Sequence, residues 1–327
     1  MIKLIYPKFW SKENTLALLL IPASWIYRML GFCRKIFTKK IKFSAQVICI
    51  GNATVGGTGK TQLVAWLAKT LKKSNISFVI ITKGYGSSLR GVKKVLENDT
   101  PEQVGDESVL LREFGTVIAA SKISYATGVI DTIKPDVIIV DDGMQNPSFH
   151  KDLIILTIDS LRGIGNGLIF PAGPLRQSLK SSLKIADAVV MIGNEPCKDL
   201  KLIERLLLKP KLLIEAKITL KYFGDLGKKY LAFTAIGNPD KFYKTLTDNK
   251  INVLVTKSFP DHHFFSSEEI YNLKLDALKN NLQLITTKKD YVKIHDRQNI
   301  ECAEVDLLIK QEEKLLKLID EQILQKI

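Results

Sequence analysis

The sequence contains few of the residues that build metal sites and disulfide frameworks. Its 327 residues include four cysteines and four histidines. No two cysteines form a C-x-x-C pair and the histidines show no metal-ligand spacing, so we expect neither a structural zinc site nor a set of disulfide bonds. This cysteine content fits a reducing compartment. The remaining composition is that of an ordinary globular protein, which excludes a disordered, collagen-like or coiled-coil chain.

Acidic residues are the scarcer of the two charged classes. The chain has 34 Asp and Glu against 48 Lys and Arg, a formal net charge of +14. The first 46 residues hold nine basic side chains and one acidic side chain, so more than half of the excess lies there. A charge of this sign predicts a polyanionic partner, which is a nucleic acid, a nucleotide or an anionic lipid.

Long apolar runs are also rare, and the one in the basic N-terminal region is too short to cross a bilayer. Residues 15–32 contain a single charge, whereas a membrane-spanning helix needs about 20 apolar residues. We therefore predict a helix that lies in the membrane interface, with Trp10, Trp25 and Tyr27 as anchors at the headgroup level. The flanking lysines suit anionic lipids.

Three alternatives remain for this N-terminal segment. It could be a helix packed on the protein's own core, because periodicity alone does not separate the two cases. It could be a cleaved signal peptide, although its apolar stretch is short. An arm that binds nucleic acid is disfavoured, because the cations flank apolar residues instead of alternating with polar ones.

A glycine-rich turn follows the first predicted strand. Residues 46–50 are rich in β-formers, residues 51–61 read Gly-Asn-Ala-Thr-Val-Gly-Gly-Thr-Gly-Lys-Thr, and a helical pattern comes next. Strand, glycine loop and helix are the context of a P-loop, whose backbone N–H groups converge on phosphate oxygens. Lys60 would reach the β- and γ-phosphates, and Thr61 would offer its hydroxyl to Mg²⁺. The predicted nucleotide contacts are Thr54, Gly56, Gly57, Thr58, Gly59, Lys60 and Thr61.

Two other interpretations of this turn remain open. It could be a glycine turn without a ligand, and Thr54 does stand where the strict P-loop pattern has its first glycine. The Gly-Gly-x-Gly-Lys-Thr string also resembles that of the partitioning and septum-site ATPases. Those ATPases carry a second lysine just before the paired glycines, where this chain has Val55, so their defining residue is missing.

Two adjacent carboxylates end an apolar run. Residues 137–140 are followed by Asp141 and Asp142, as expected for a buried parallel strand whose carboxyl end meets a nucleotide. We predict Thr61 and Asp141 as Mg²⁺ ligands with Asp142 second, because hard oxygen donors suit this ion; the alternative is a merely polar strand end. No Asn-Lys-x-Asp guanine signature occurs, so ATP is favoured over GTP, with ATPase and kinase both open.

Five further strings point to one family. They are Thr-Lys-Gly-Tyr-Gly at 82–86, Gly-Asp-Glu at 105–107, Asp-Asp-Gly-Met-Gln-Asn at 141–146, Phe-Pro-Ala-Gly-Pro-Leu-Arg at 170–176 and Phe-Pro-Asp-His-His-Phe at 259–264. In this order, behind the P-loop, they resemble the tetraacyldisaccharide 4′-kinase family, the membrane-associated enzymes that phosphorylate the lipid A disaccharide precursor. The resemblance extends from the N-terminal apolar segment to about residue 293.

This resemblance implies an activity, a location and a set of partners. The family transfers the γ-phosphoryl of ATP to the 4′-hydroxyl of a tetraacylated glucosamine disaccharide 1-phosphate, in lipopolysaccharide biosynthesis. It acts on the cytoplasmic face of the inner membrane of Gram-negative bacteria. The expected cofactors are ATP and Mg²⁺, and the expected partners are the lipid A disaccharide precursor and anionic inner-membrane lipids. We expect no nucleic acid and no obligate protein partner.

The resemblance also implies residue roles. Asp106 corresponds to the general base, assisted by His262, with His263 as the alternative. A carboxylate partnered by an imidazole can accept the proton of a sugar hydroxyl near neutral pH. Taken alone, Asp106 could be a helix N-cap and the histidines could be ordinary loop residues. Arg176 is a candidate for stabilising charge on the transferring phosphoryl or for binding the 1-phosphate of the acceptor, because its guanidinium offers a fork of donors.

The chain departs from the family pattern at a few positions near these motifs. The departures are Gln62, Lys83, Met144, Asn146 and Gln177. None removes a proposed catalytic group, although lysine in place of arginine at 83 loses bidentate geometry. We predict that Lys83 and Tyr85 line the same cleft. The competing function is that of a membrane-associated P-loop ATPase with an assembly or partitioning role, which explains the turn and the N-terminus alone.

The predicted fold is α/β, with a P-loop NTPase-like parallel sheet domain, a second, smaller α/β lobe and an N-terminal membrane-associated helix. We assign residues 1–45 to the membrane-associated segment, 46–165 to the nucleotide-binding domain and 166–327 to the second lobe, which includes a lysine-rich, hairpin-like linker at 214–233. The second lobe would supply the histidine and close over the acceptor. The Thr-Thr-Lys-Lys-Asp string at 286–290 predicts either a phosphate contact or a solvated lysine pair.

Overall fold

The structure is a computed structural model that describes residues 6–12, 14–207, 211–222, 225 and 227–327. Its strands are β1 (Gln46–Asn52), β2 (Phe78–Thr82), β3 (Val92–Lys94), β4 (Thr116–Ala120), β5 (Val137–Asp141), β6 (Leu153–Asp159), β7 (Ala188–Ile192), β8 (Leu212–Tyr222), β9 (Lys229–Thr234), β10 (Asn252–Ser258), β11 (Gln283–Thr287) and β12 (Ile300–Ile309). They form one sheet in the order β10-β9-β11-β12-β8-β7-β6-β1-β5-β2-β4-β3.

Helices cover both faces of this sheet. They are α1 (Thr15–Leu19), α2 (Ile21–Phe37), α3 (Lys60–Lys73), α4 (Pro101–Val104), α5 (Asp106–Leu111), α6 (Thr127–Ile133), α7 (Leu179–Ile185), α8 (Leu200–Leu206), α9 (Pro239–Asp248), α10 (Ser267–Lys279), α11 (Lys288–Tyr291) and α12 (Glu312–Gln322). Short 3₁₀ helices cover Lys8–Trp10, Ile123–Ala126 and Leu324–Lys326. The predicted α/β class is confirmed.

The central strands are buried because helices pack against both of their faces. Every residue of β5 is buried, which is the pattern of a parallel strand covered on two sides. Helix α3 turns Leu63, Leu67 and Leu71 toward the sheet, at the four-residue spacing that places side chains on one helix face. This packing holds the turn before α3 rigidly at the carboxyl end of β1.

The direction of the strands creates the cleft. Neighbouring strands are parallel except in two pairs, β3 with β4 and β8 with β12. Because β9, β10 and β11 run parallel to β12, they run opposite to the strands between β8 and β2. Turns after β1 and β5 and turns after β9 and β11 line one common cleft. The carboxyl ends of two oppositely directed parallel sets therefore face each other across it.

The predicted hairpin-like linker at 214–233 is wrong. Strand β8 pairs with β7 and β12, whereas β9 pairs with β10 and β11. Strands β11 and β12 thus lie between β8 and β9. Strand β8 forms a long antiparallel pair with β12 in place of a short hairpin with β9. Positions 223, 224 and 226 of this stretch lie outside the described residues. The sheet continues across residue 165, since β7 pairs with β6, and the predicted domain boundary there remains a prediction.

The N-terminal segment forms helices α1 and α2, and α2 is exposed over nearly its whole length. Its one buried residue is Ser24, whose Oγ donates to the carbonyl of Ile169 at 2.7 Å. None of the helices in the described part of the chain combines the length and apolar character that a bilayer crossing requires. The prediction that Trp10 is an interfacial anchor is wrong, because its indole is 2% exposed and donates to the carbonyl of Pro171. Trp25 is 64% exposed.

Candidate active site

The cleft between the two strand sets has a volume of about 800 Å³. One wall comes from the glycine turn and from the ends of β2 and β5. The other comes from the turn between β9 and α9, from α9 itself and from the end of β11. Among the predicted site residues, those that line it are Gly56, Gly57, Thr58, Gly59, Lys60, Thr61, Asp141, Asp142, Arg176 and His262. Predicted residues from both halves of the chain therefore meet in one place.

The glycine turn has the backbone of a phosphate-binding loop. Gly59 precedes α3 with a φ of +87°, and a Cβ on it would lie 2.9 Å from Cγ2 of Ile192, so only glycine fits there. The amide of Asn52 donates to the carbonyls of Thr54 and Gly56 at 2.6 and 3.2 Å. These bonds hold two carbonyls of the turn inside the protein. Sequence reasoning missed Asn52, because a polar residue at a strand end has no distinctive pattern.

Two predicted residues of the turn make contacts inside the protein. Thr54 forms an antiparallel bridge with Leu175, and it lies apart from the residues that line the cleft. The hydroxyl of Thr58 is 2.7 Å from that of Thr157 on β6. Both contacts brace the turn against the sheet, so these two threonine side chains act on the loop's shape.

Three cations surround Asp142. Nη1 of Arg176 donates to both carboxylate oxygens, at 2.7 and 2.9 Å. The ammonium groups of Lys60 and Lys83 each lie 3.7 Å from the same carboxylate. Burial would raise the pKa of Asp142, but these cations outweigh it and hold that pKa well below its usual range. Asp142 is therefore an anion that organises a cationic surface beside the glycine turn.

Asp141 has the opposite environment. It is 2% exposed, and neither of its carboxylate oxygens has a hydrogen-bond partner among the described residues. Burial, with a contribution from the charge of Glu107, raises the pKa of Asp141 to about 8. A buried carboxylate without partners is costly, and a bound cation would satisfy both oxygens. Of the two adjacent aspartates, Asp141 is the one whose surroundings fit a metal.

The structure joins Asp106 and His262, which are 156 residues apart in the sequence. Nδ1 of His262 is 2.9 Å from Oδ2 of Asp106, and the other carboxylate oxygen accepts the backbone N–H of Glu107 at 2.8 Å. Asp106 is the first residue of α5, and Gly105 is the N-cap, so the N-cap alternative for Asp106 is wrong. The imidazole lines the cleft while the carboxylate lies behind it, 2% exposed.

The other histidine has a different partner. Nε2 of His263 lies 2.9 Å from each carboxylate oxygen of Glu269, and its ring stacks on Phe259. The ring of His262 instead contacts that of Tyr85, with centroids 4.9 Å apart. The geometry thus distinguishes two adjacent histidines that the sequence left as alternatives.

Lys289 is the functional candidate that the sequence left undecided. Its Nζ lies 3.7 Å from Oδ2 of Asp106 and 3.3 Å from Oε1 of Glu107. Burial would raise the pKa of Asp106, but Lys289 first and His262 second outweigh it and hold that pKa far below its usual range. The lysine's own pKa is raised, because the two carboxylates outweigh its burial. The predicted solvated lysine pair is therefore wrong at Lys289.

Comparisons with known proteins identify the family of the chain. The family model described as LpxK, tetraacyldisaccharide-1-P 4′-kinase, matches residues 16–324. A tetraacyldisaccharide 4′-kinase of Rickettsia canadensis is 48% identical over 311 residues, covering 94% of each chain. One from Rickettsia bellii is 47% identical over 310 residues, covering 94% of this chain and 96% of the relative.

A solved structure has the same fold. The crystal structure of LpxK from Aquifex aeolicus, described as an "apo" form in complex with ATP, matches with a TM-score of 0.73 and 27% sequence identity. The match covers 94% of this chain and 100% of that chain. With a family model over nearly the whole length and relatives at this level of identity, the chain belongs to the tetraacyldisaccharide-1-P 4′-kinase family.

Proposed function

We propose that this protein transfers the γ-phosphoryl of ATP to the 4′-hydroxyl of the tetraacyldisaccharide 1-phosphate precursor of lipid A. The observation that carries the proposal is the Asp106–His262 pair, 2.9 Å apart, in the same cleft as a phosphate-binding turn. A P-loop ATPase has no alcohol acceptor, so it needs no such pair to take a proton from one. The Rickettsia relatives are named tetraacyldisaccharide 4′-kinases, which supports the same substrate.

ATP would bind with its triphosphate on the glycine turn. The N–H groups of the turn and the ammonium of Lys60 would hold the phosphate oxygens. The donor set also fits Mg²⁺, because Asp141 offers two unpartnered oxygens and Thr61 offers a hydroxyl in the same cleft. No three His, Cys, Asp or Glu cluster within the described residues, so phosphate and water would complete the coordination. When bound, the ion would neutralise charge on the β- and γ-phosphates.

The acceptor hydroxyl would lose its proton to the Asp106–His262 pair. Lys289 keeps the carboxylate ionised, which orients the imidazole and stabilises the positive charge that forms on it when it takes a proton. The imidazole is the member of the pair that lines the cleft, so we assign it the contact with the hydroxyl. Asp106 would then supply the negative charge that balances the proton received by His262.

Arg176 would stabilise charge that develops on the transferring phosphoryl. Its guanidinium is held against Asp142 through one nitrogen, which leaves its other donors available toward the cleft that it lines. Positioned cations of this kind lower the energy of the transition state of phosphoryl transfer. The ammonium group of Lys83 lies 3.7 Å from the carboxylate of Asp142 and would add a second positive charge.

We also propose that α1 and α2 hold the enzyme on an anionic membrane surface. Large apolar side chains on these helices are exposed, namely Leu16, Leu18, Leu19, Trp25, Ile26, Tyr27, Met29, Leu30, Phe32, Ile36 and Phe37. Many exposed large apolar side chains on two consecutive helices are typical of an interaction surface. The basic residues between them, Arg28, Arg34 and Lys35, would contact lipid phosphates. A lipid acceptor would then be presented beside the cleft.

The kinase proposal is tested with purified protein, ATP, Mg²⁺ and detergent-dispersed tetraacyldisaccharide 1-phosphate. We expect a 4′-phosphorylated product from the wild type, and a loss of about 10²- to 10⁴-fold in kcat for Asp106→Asn and His262→Ala. His263→Ala is the matched control and should keep most of the activity. Equal ATP hydrolysis with and without the lipid, and no phosphorylated lipid, would assign the protein to the ATPase class.

The membrane proposal is tested by flotation with vesicles that contain anionic phospholipid. The triple variant Trp25→Ser, Leu30→Ser, Phe32→Ser should leave the vesicle fraction, because each serine removes exposed apolar area. The control variant Tyr271→Ser, Leu278→Ser changes exposed apolar residues on α10 and should still float. If both variants float like the wild type, α2 is not the membrane contact.

A further inference from the structure

Asn238 is a buried amide that the reaction described above does not use. It is 3% exposed, it lines the cleft, and neither Nδ2 nor Oδ1 has a hydrogen-bond partner among the described residues. It occupies the N-cap of α9, where an asparagine ordinarily accepts a backbone N–H. Here its side chain makes no such bond. An unpartnered buried amide is costly, so an unpartnered amide on a residue that lines the cleft points to a ligand.

The turn that carries Asn238 is fastened to the glycine turn. A Cβ on the preceding residue, Gly237, would lie 2.9 Å from the backbone nitrogen of Gly57. Nη1 of Arg162 donates to the carbonyl of Gly237 at 2.6 Å. The ammonium of Lys241, in the first turn of α9, donates to Asp159 at 2.8 Å and to the carbonyl of Ile192 at 3.0 Å. Any nucleotide on the glycine turn therefore passes beside Asn238.

The two ends of the cleft differ in chemistry. The end that holds Asp142 presents the ammonium and guanidinium groups that suit a triphosphate. The end beside Asn238 is lined by the apolar side chains of Ile218, Ile236 and Phe242. Apolar walls with a few polar groups are typical of sites for flat organic rings.

We propose that Asn238 binds the nucleoside part of ATP, which rests on the proposed use of ATP by this cleft. Its amide offers a donor and an acceptor side by side. The amino group and ring nitrogen of adenine match that pair, whereas guanine presents two acceptors. Ribose hydroxyls, which both donate and accept, present the same chemistry. Asn238 is then a binding residue that the 166–327 half of the chain contributes to a nucleotide held by the other half.

The test measures dissociation constants without the lipid acceptor, so that failure of the lipid kinase assay and failure of this inference are distinguishable. We expect Asn238→Leu to weaken ATP binding about tenfold and to leave the affinity for inorganic tripolyphosphate unchanged. Thr245→Val is the matched control, because Thr245 lines the cleft from the same helix and its hydroxyl already donates to the carbonyl of Lys241. It should bind ATP like the wild type.

Two further measurements sharpen the result. Loss of affinity for ATP but not GTP assigns the contact to adenine, and equal loss for both nucleotides assigns it to ribose. Because the amide has no partner in the free protein, Asn238→Leu should not lower the melting temperature measured without nucleotide. An unchanged dissociation constant for ATP, an equal loss for tripolyphosphate, or a lower melting temperature that accounts for the weaker binding would overturn the inference.

Discussion

Replacing Lys289 by methionine should raise the pKa of Asp106 and make the kinase rate fall on the acid side of its pH profile. The ammonium nitrogen of Lys289 is 3.7 Å from Oδ2 of Asp106, and both side chains are largely buried. At an effective dielectric constant of about 20, this separation corresponds to about 4 kcal/mol, or about three pKa units. Without the lysine, burial raises the pKa of Asp106 against the smaller opposing effect of His262. The carboxyl then begins to take up a proton at the acid end of the profile, where His262 loses its negative partner.

The sign of the effect follows from the folded-state pKa. In the wild type the pKa of Asp106 is held below its usual range, so the carboxylate stays ionised throughout the working pH range and imposes no acid limb there. In Lys289→Met the pKa is higher, and activity should decline as the pH falls through it and recover as the pH rises. The assay is kcat/KM for the lipid from about pH 4, which is the usual carboxyl pKa, to about pH 9.

The neighbouring lysine is the matched control for this experiment. Lys288 pairs with Glu113 at 2.7 Å and Glu304 at 3.0 Å, so Lys288→Met should keep the shape of the wild-type profile. Lys289→Arg retains the charge and should restore most of the rate at low pH. The reasoning is refuted if Lys289→Met loses activity equally at every pH, or loses none.

Three further predictions use other parts of the structure. Because the pKa of Asp141 is raised to about 8 in the metal-free protein, Mg²⁺ must displace a proton. Its affinity, measured by titration calorimetry, should rise up to about tenfold per pH unit below 8 and lose that slope in Asp141→Asn. Gly59→Ala should abolish ATP binding in the same assay, because its Cβ would meet Ile192 at 2.9 Å and its φ is +87°. Lys293→Met should cost about 3–5 kcal/mol in urea unfolding, because the fully buried Lys293 pairs with Asp290 at 2.7 Å; a cost below about 1 kcal/mol would contradict this.

Local patterns predicted the elements around the glycine turn well. The glycine turn, the apolar run before Asp141 and the helical spacing of α3 are encoded by neighbouring residues, and each appears in the structure where it was expected. Failures came where distant residues compete with local signals. The stretch at 214–233 looks like a hairpin, but β12 supplies a longer partner for β8. Trp10 looks like an interfacial anchor, but the carbonyl of Pro171 receives its N–H.

Lysines show the limit of sequence reasoning in the candidate site. A lysine pair after a strand has the same local pattern whether its charges face water or buried carboxylates. Only the packing of α11 against α5 brings Lys289 to Asp106, while Lys288 contacts Glu113 and Glu304. Asn238 was missed for a related reason, because an asparagine before Pro239 predicts a helix start and its lack of a partner is visible only in three dimensions.

The sequence by itself determined the α/β class, the phosphate-binding turn and the family, because these depend on short-range periodicity and on the order of motifs. The tertiary structure alone decided which histidine meets Asp106. His262 and His263 are adjacent in the chain, yet one reaches Asp106 across the cleft and the other reaches Glu269. The physical reason is the antiparallel β8–β12 pair, which reverses the second strand set and aims its carboxyl ends at those of the first.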